Sequence, residues 1–299
     1  MISVIIPSYN RRKCILHLLG DLRAQQDAEF EVIVVDDCSP DDTVEMIRQA
    51  FPEFTLLVNE RNGGPCVSRN RGVLAAKGDI IIGLDSDVSV PDVHLLAKVA
   101  KAFEESPGVT GFAFRIYESD GVTDDSPRWW HPLPIESAKT QSFATDYFSG
   151  TGYAFRRAPM IHAGLFPEIF YMHYEEVELA WRILDQGGSI QYRPDFTVVH
   201  HANPVSRRSE IKVFYKPRNQ ILLAVGCLPA SQVAGYLSLR IPYQFLAACA
   251  GGYLPRFIDA MRSAKALMPA RLAGRRPISR NSIMLMRKLR NVQNLRNAS

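Results

Sequence analysis

Residues 80–88 read Ile-Ile-Ile-Gly-Leu-Asp-Ser-Asp-Val. A buried apolar strand ends abruptly in two carboxylates, Asp85 and Asp87, one residue apart. Charged groups are expensive to bury alone, so acids in this position belong to a polar crevice. In open α/β sheets the crevice outside the carboxyl ends of the strands is where ligands bind. Two oxygen-rich side chains there suit a hard divalent cation, and such a cation can hold a diphosphate. An isolated Asp-x-Asp is more often a plain surface turn, so the surrounding sequence decides between the two.

That surrounding sequence repeats the arrangement. Strand patterns at 3–7, 30–35, 54–59, 79–84 and 109–117 alternate with helical spacing at 14–25, after Ser39, at 66–76 and at 93–105. The alternation predicts an α/β fold with a doubly wound, mostly parallel sheet. Ser39 is read as a helix cap, with Pro40 and the acids Asp41 and Asp42 in the first turn. Four polar clusters fall at successive strand ends: Pro7-Ser8-Tyr9-Asn10, Asp36-Asp37, Gly63-Gly64 with Arg69, and Asp85-Ser86-Asp87. A parallel sheet carries all four to one edge. Together they offer an aromatic face, carboxylates, a close-approach turn, a cation and a metal site, the inventory of a nucleotide diphosphate pocket.

After Tyr117 the alternation lapses. Residues 118–142 are rich in Asp, Ser and Pro and contain Trp129-Trp130-His131. A long irregular segment of this kind is a binding loop or a disordered insert. A helix is expected at 175–186, stopped by Gly187-Gly188, then short strands at 189–192 and 197–200. Beyond Ser209 the spacing is helical throughout, at 209–225, 231–250, 255–267 and 282–294.

These pieces give the chain a specific likeness. It resembles the family 2 glycosyltransferases of the GT-A fold through Val4-Ile5-Ile6-Pro7-Ser8-Tyr9-Asn10-Arg11, Val34-Val35-Asp36-Asp37-Cys38-Ser39, Asn62-Gly63-Gly64-Pro65 and Arg69-Asn70-Arg71-Gly72. Leu84-Asp85-Ser86-Asp87, Gly152-Tyr153-Ala154-Phe155-Arg156-Arg157, Tyr174-Glu175-Glu176-Val177-Glu178-Leu179 and Pro194-Asp195 followed by His200 extend it. The likeness covers roughly the first two-thirds of the chain. It implies a nucleotide-sugar donor, a divalent metal (Mn or Mg) and inversion at the anomeric carbon. By the same resemblance Tyr9 lies against the nucleobase, Asp36 or Asp37 bonds its edge, and Pro7 and Asn10 belong to the same nucleotide-sugar site. Arg69 approaches the base or diphosphate, Asp85 faces ribose and sugar, Asp87 binds the metal, and Gly64 and Ser86 are further nucleotide-sugar-binding residues. His200 is a further metal ligand or a satisfied structural histidine. Relatives use the second acid of a Glu-Asp pair at a helix start as general base. Here the pair is Glu175-Glu176, so Glu176 takes the base position with one more methylene of reach. Glu175 is the alternative base and is otherwise placed beside the acceptor, and Glu175 and Glu178 can also be plain solvated or helix-end charges. Trp129 and Trp130 either roof the acceptor site or anchor their loop to the core.

The charge is unevenly spread. From Met261 onward there are ten Lys or Arg and no acid, which leaves 25 basic and 31 acidic residues in the body. The expected organisation is a glycosyltransferase domain over 1–208, in which 1–117 binds the donor and 118–208 the acceptor, followed by a basic helical extension over 209–299. Amphipathic helices beside polybasic sequence suit an anionic membrane surface, the alternatives being packing on the body or a homodimer contact. No aromatic-interleaved nucleic-acid motif accompanies the tail, so nucleic acid is not an expected partner. Five dispersed cysteines without metal spacing and the lack of a secretory leader point to the cytoplasm, with peripheral attachment at the inner face of the plasma membrane. The acceptor is then a glycan or lipid-linked glycan in surface polysaccharide or glycolipid synthesis. A signalling receiver domain fails, because the third strand ends in Asn59-Glu60-Arg61-Asn62 without a phosphoacceptor Asp. A nucleotidyltransferase would carry a glycine-rich first loop where this chain has Pro7-Ser8-Tyr9-Asn10. An inactive nucleotide-sugar-binding scaffold is the remaining alternative.

Overall fold

The computed structural model describes residues 1–201 and 209–290. Its first half alternates as expected: β1 (Ile2–Ser8), α1 (Arg12–Arg23), β2 (Phe30–Asp36), α2 (Thr43–Ala50), β3 (Thr55–Val58), α3 (Pro65–Ala75) and β4 (Ile80–Leu84). There follow β5 (Val88–Ser89), α4 (Leu95–Glu105), β6 (Gly111–Tyr117), a short α5 (Ile135–Ala138), β7 (Phe143–Thr145), β8 (Gly152–Arg156), α6 (Arg157–His162), α7 (Glu175–Asp185) and β9 (Ile190–His200). Helices α8 (Ser209–Cys227), α9 (Ala230–Ala250), α10 (Leu254–Ala273) and α11 (Arg280–Leu289) complete it.

The nine strands form one sheet in the order β3-β2-β1-β4-β8-β6-β9-β5, with β7 also paired to β9. Strands β3, β2, β1, β4, β6 and β9 share one direction, and β8, β5 and β7 run against it. The α/β, mostly parallel architecture is therefore as the sequence predicts. Every position of β1 is buried, because helices cover both faces of the sheet. Val4 and Ile6 join a core with Leu18 of α1 and Val99 of α4, whereas Ile5 joins Val73 of α3 on the other face, as strand alternation requires. A third core links Trp181 and Leu184 of α7 to Leu222 and Leu223 of α8 and to Ile283 and Met286 of α11.

Several expectations change. The helix after β2 begins at Thr43, not Ser39, because the Ser39 hydroxyl and amide are already bonded to Asp36 at 2.5 and 2.8 Å. The two strands expected at 189–192 and 197–200 are one strand, β9. Its pairing with β6 jumps from Phe114↔Arg193 to Arg115↔Thr197, which loops out Pro194, Asp195 and Phe196. The last helix ends at Leu289, and the remainder expected over 291–294 lies outside the described residues, as does the basic Arg296.

Several cations of the basic tail are spent on the fold itself. Arg271 donates to both oxygens of Glu178 at 3.1 and 2.5 Å, which makes Glu178 a buried structural acid. Arg275 donates to the carbonyls of Val225 and Leu228, and Arg290 donates to Asp146 at 2.6 and 2.9 Å. Each of these guanidiniums satisfies buried acceptors that would otherwise cost free energy.

Candidate active site

The loops after β1, β2 and β4 and the start of α3 meet at one sheet edge. Tyr9 follows β1 and is 45% exposed, and Asn10 turns there with φ 52°. The Asn10 amide donates to Ser39 Oγ at 2.9 Å. Asp36 is fully buried, and both its oxygens accept from Ser39. Asp37 accepts from the Asn59 side chain at 2.8 Å and from the amides of Gly63 and Gly64 at 3.0 and 2.7 Å. The two aspartates expected at the base edge are thus engaged by the protein's own donors, and they set the loops that form the edge. Gly64 has φ 85°, and a Cβ there would lie 2.5 Å from the Tyr171 ring. Only glycine closes this turn without displacing that ring.

Arg69, on α3, is buried and ties the two halves of the site together. Its guanidinium donates to Asp85 Oδ1 at 2.7 Å and to Glu175 Oε1 at 3.4 Å. Burial favours a neutral Asp85, but Arg69 outweighs it and holds the carboxyl below the usual carboxylate range. Thr151 Oγ1 donates to the other Asp85 oxygen at 3.2 Å. Gly150 lies between Arg69 and the base candidate: a Cβ on it would stand 2.5 Å from Arg69 Nη2 and 2.8 Å from Glu176 Oε1. The Gly150 amide donates to Glu176 Oε1 at 3.2 Å. Burial raises the Glu176 pKa against the pull of Arg69. Glu175, expected beside the acceptor, is only 3% exposed and turns inward to Arg69. Burial and then the charge of Glu176 push its pKa well up. Of the two acids Glu176 is the more exposed, being only half-buried.

Asp87 and His200 come together through β5, where Val88 pairs with His200. His200 Nε2 is 3.7 Å from Asp87 Oδ1, and His200 Nδ1 is 2.9 Å from buried Asp125. His201 points away to Ser89 Oγ at 2.8 Å, as alternation predicts. Burial, then the charge of Asp85, push the Asp87 pKa up. Two cations not singled out from the sequence stand here. Arg11 Nη2 is 3.8 Å from Asp87, and Arg128 donates to Asp125 at 2.8 Å and to Thr151 Oγ1 at 3.1 Å. Ser86, between the two aspartates, is buried. Among the described residues no three His, Cys, Asp or Glu side chains converge as a metal cage. A cation held by one or two carboxylates, with phosphate and water oxygens completing its shell, needs no cage. Asp87 beside Asp85 fits a cation that arrives with a diphosphate and does not fit one held by protein alone; His200 Nε2 lies 3.1 Å from Arg128 Nη2, so Arg128 has to give way before His200 can join the cation.

The tryptophans divide the alternatives left by the sequence. Trp129 donates to the Leu133 carbonyl at 2.6 Å and packs on His131, Phe143 and Tyr192, so it anchors the loop. Burial lowers the His131 pKa to about 3, so that ring is a neutral member of the same cluster. Trp130 instead lies on Tyr147 and Tyr174, next to the start of α7, with Lys216 Nζ 5.6 Å from its ring. The turn before α7 holds Tyr171, His173 and Tyr174 at positive φ. Such backbone persists only where the surroundings fix it. Here buried Asn219 of α8 donates to the carbonyls of Phe170, Met172 and His173 at 3.1, 2.7 and 2.8 Å, and Arg218 adds a bond to Phe170. The sequence contains no local signal for this brace, since it joins residues nearly fifty positions apart.

An α/β sheet that gathers an Asp-x-Asp pair, a buried arginine and a helix-start acid at one edge defines the GT-A class of fold. The family model described as glycosyl transferase family 2 matches residues 3–163, more than half of the chain, and the chain belongs to that family. An uncharacterized glycosyltransferase of Haemophilus influenzae is 40% identical over 142 residues, which is 47% of this chain and 47% of that protein. The poly(ribitol-phosphate) β-N-acetylglucosaminyltransferase TarS of Staphylococcus aureus is 42% identical over 91 residues, 28% of this chain but 16% of TarS. The chain thus spans half or less of these curated relatives. In structure, TarS with UDP-GlcNAc superimposes with TM-score 0.62 at 22% identity, over 92% of this chain and 83% of that one. A mannosyltransferase of Pyrobaculum calidifontis, solved with GDP-Man and Mn2+, gives 0.61 at 20% identity, over 99% and 86%. At these identities the two structures bear on the fold alone.

Proposed function

We propose that this protein transfers a sugar from a nucleotide diphosphate donor to a hydroxyl of a glycan or lipid-linked acceptor, with inversion, in the synthesis of a surface polysaccharide or glycolipid. The observation that carries the proposal is the meeting of Asp85, Arg69 and Glu176 around Gly150, with Asp87 and His200 joined to it through Arg128 and Thr151. Tyr9 and the Asp37-bonded Gly63-Gly64 turn bound the nucleoside end. Asp85 meets ribose and sugar, and Arg69 fixes its charge and direction. Asp87, with His200, would hold a divalent cation, Mn or Mg, which when bound would neutralise charge on the departing diphosphate. Arg11 and Arg128 add positive charge to the same region. Glu176 accepts the proton of the acceptor hydroxyl while the oxygen bonds to the anomeric carbon. The bond to the diphosphate breaks on the opposite face, and the diphosphate leaves with the electron pair. The raised pKa of Glu176 makes it a better proton acceptor than an ordinary carboxylate. Trp130 offers the acceptor sugar a flat face beside that base.

The ligands named for the neighbours, GDP-Man with Mn2+ and UDP-GlcNAc, support a donor of this class. The poly(ribitol-phosphate) acceptor in the name of TarS supports a surface-polymer acceptor. A thermal-shift screen of nucleotide sugars with Mn or Mg tests the reading, because binding stabilises the native state by mass action. One donor is expected to raise the midpoint only with metal, and Asp87→Ala is expected to abolish that rise. A screen in which no nucleotide sugar shifts the wild type refutes it.

A further inference from the structure

We propose that the α9–α10 hairpin is a docking surface for an anionic lipid bilayer and sets the acceptor side of the cleft beside that membrane. The inference deepens the lipid-linked acceptor reading above by naming the surface that meets the lipid. Helix α9 is attached along one side only. Val233, Tyr236 and Leu237 pack toward the core that contains Trp181 and Tyr174. Leu239, Tyr243 and Leu246, spaced four and three residues apart, form a stripe that is 80%, 69% and 64% exposed. Exposed Phe245 and, across the turn, Ile258 of α10 extend it. A helix facing water carries charges at such positions, but the only charged residue of α9 is Arg240, which folds over the Tyr236 ring at 3.9 Å.

Charge decides what covers the stripe. The hairpin exposes Arg240, Arg256, Arg262 and Lys265 and carries one acid, Asp259, while Arg271 turns inward to Glu178. A second copy docked through the same face would bring two such surfaces together, and like charges apposed at an interface repel. Nucleic acid matches the charge but has no use for the leucines. An anionic bilayer takes both, with apolar side chains among the acyl chains and basic ones at the headgroups. No helix among the described residues is long and apolar enough to cross a membrane, so the hairpin lies in the interface. Its position relative to the site follows from contacts on its inner side. Tyr236 meets Trp181 of α7 at 6.3 Å, and Trp130 meets Tyr174, the residue before Glu175, at 5.4 Å.

Flotation of the full chain with vesicles of phosphatidylcholine, alone or mixed with phosphatidylglycerol, tests the proposal. The wild type is expected to float with the anionic vesicles and not with the neutral ones. The triple variant Leu239→Asp, Tyr243→Asp, Leu246→Asp should lose about tenfold or more of that partitioning. Its melting midpoint and donor-induced shift should remain those of the wild type. A donor shift that is missing in both proteins while flotation persists counts against the catalytic reading and leaves the docking surface standing. Three results overturn the docking proposal: a wild type that floats with neither vesicle, a triple variant that floats as well as the wild type, or a wild-type dimer that the triple variant converts to monomer in light scattering.

Discussion

Two pairs of adjacent acids serve the cleft, Asp36-Asp37 at the end of β2 and Glu175-Glu176 at the start of α7. They look alike in sequence and are held in opposite ways. All four oxygens of the first pair accept hydrogen bonds from the protein, two of the donors being the amides of the Gly63-Gly64 turn. In the second pair Glu175 has one oxygen 3.4 Å from Arg69 and a buried oxygen with no partner among the described residues, and both acids have raised pKa values. A carboxylate that accepts several amide bonds is inert framework, while one kept short of donors is ready to take a proton. The second arrangement costs stability, which the α8 brace on residues 170–173 offsets.

The sharpest way to break the contrast is Glu176→Gln. Sugar transfer should fall about 10³-fold, the usual contribution of a positioned base, while the donor still raises the melting midpoint. A variant that keeps its rate would remove Glu176 from the chemistry and leave the two pairs indistinguishable. Next in size is Asp37→Ala, which strips acceptors from two backbone amides and from the Asn59 side chain. Urea unfolding should show a loss of about 2–4 kcal/mol, and the donor shift should disappear with the turn. An unchanged urea midpoint would show that the first pair is not framework.

The strands and helices that carry the first pair were legible because their signals are local. The apolar runs into Asp36 and Asp85 and the Gly63-Gly64 turn each announce themselves within ten residues. The assemblies around Asp87 and around Glu176 were legible only as residue types. Strand β5 is two residues long and shows no periodicity, yet its pairing brings His200 to Asp87. Arg128 lies in an irregular segment that reads as a binding loop or a disordered insert, with nothing to single out that residue, and Asn219 sits inside a helix that reads as belonging to an appendage. Both act through long-range contacts, which no window of sequence contains. The inward turn of Glu175 belongs to the same class, since it depends on where Arg69 arrives from α3.

The smallest expected effect tests the contrast through stability alone. Burial and the neighbouring Glu176 hold the Glu175 pKa well above the ordinary carboxylate value of about 4.3. Between that value and the raised one, the native chain keeps a proton that the unfolded chain has released. Stability therefore falls as pH rises through this window and stays lowered above it. Glutamine has no such proton to lose and keeps the shape of the side chain. Arg69 retains Asp85 as its counter-charge in Glu175→Gln, so no buried cation is stranded. The variant should melt ~2–4 °C above the wild type on the alkaline side of the window, and the two should coincide below about pH 4. Asp37→Asn should instead lower the midpoint at neutral pH, because its amide cannot replace a carboxylate that accepts from three donors. If Glu175→Gln is also less stable than the wild type at neutral pH, then Arg69 needs both acids, and the start of α7 is framework of the same kind as the end of β2.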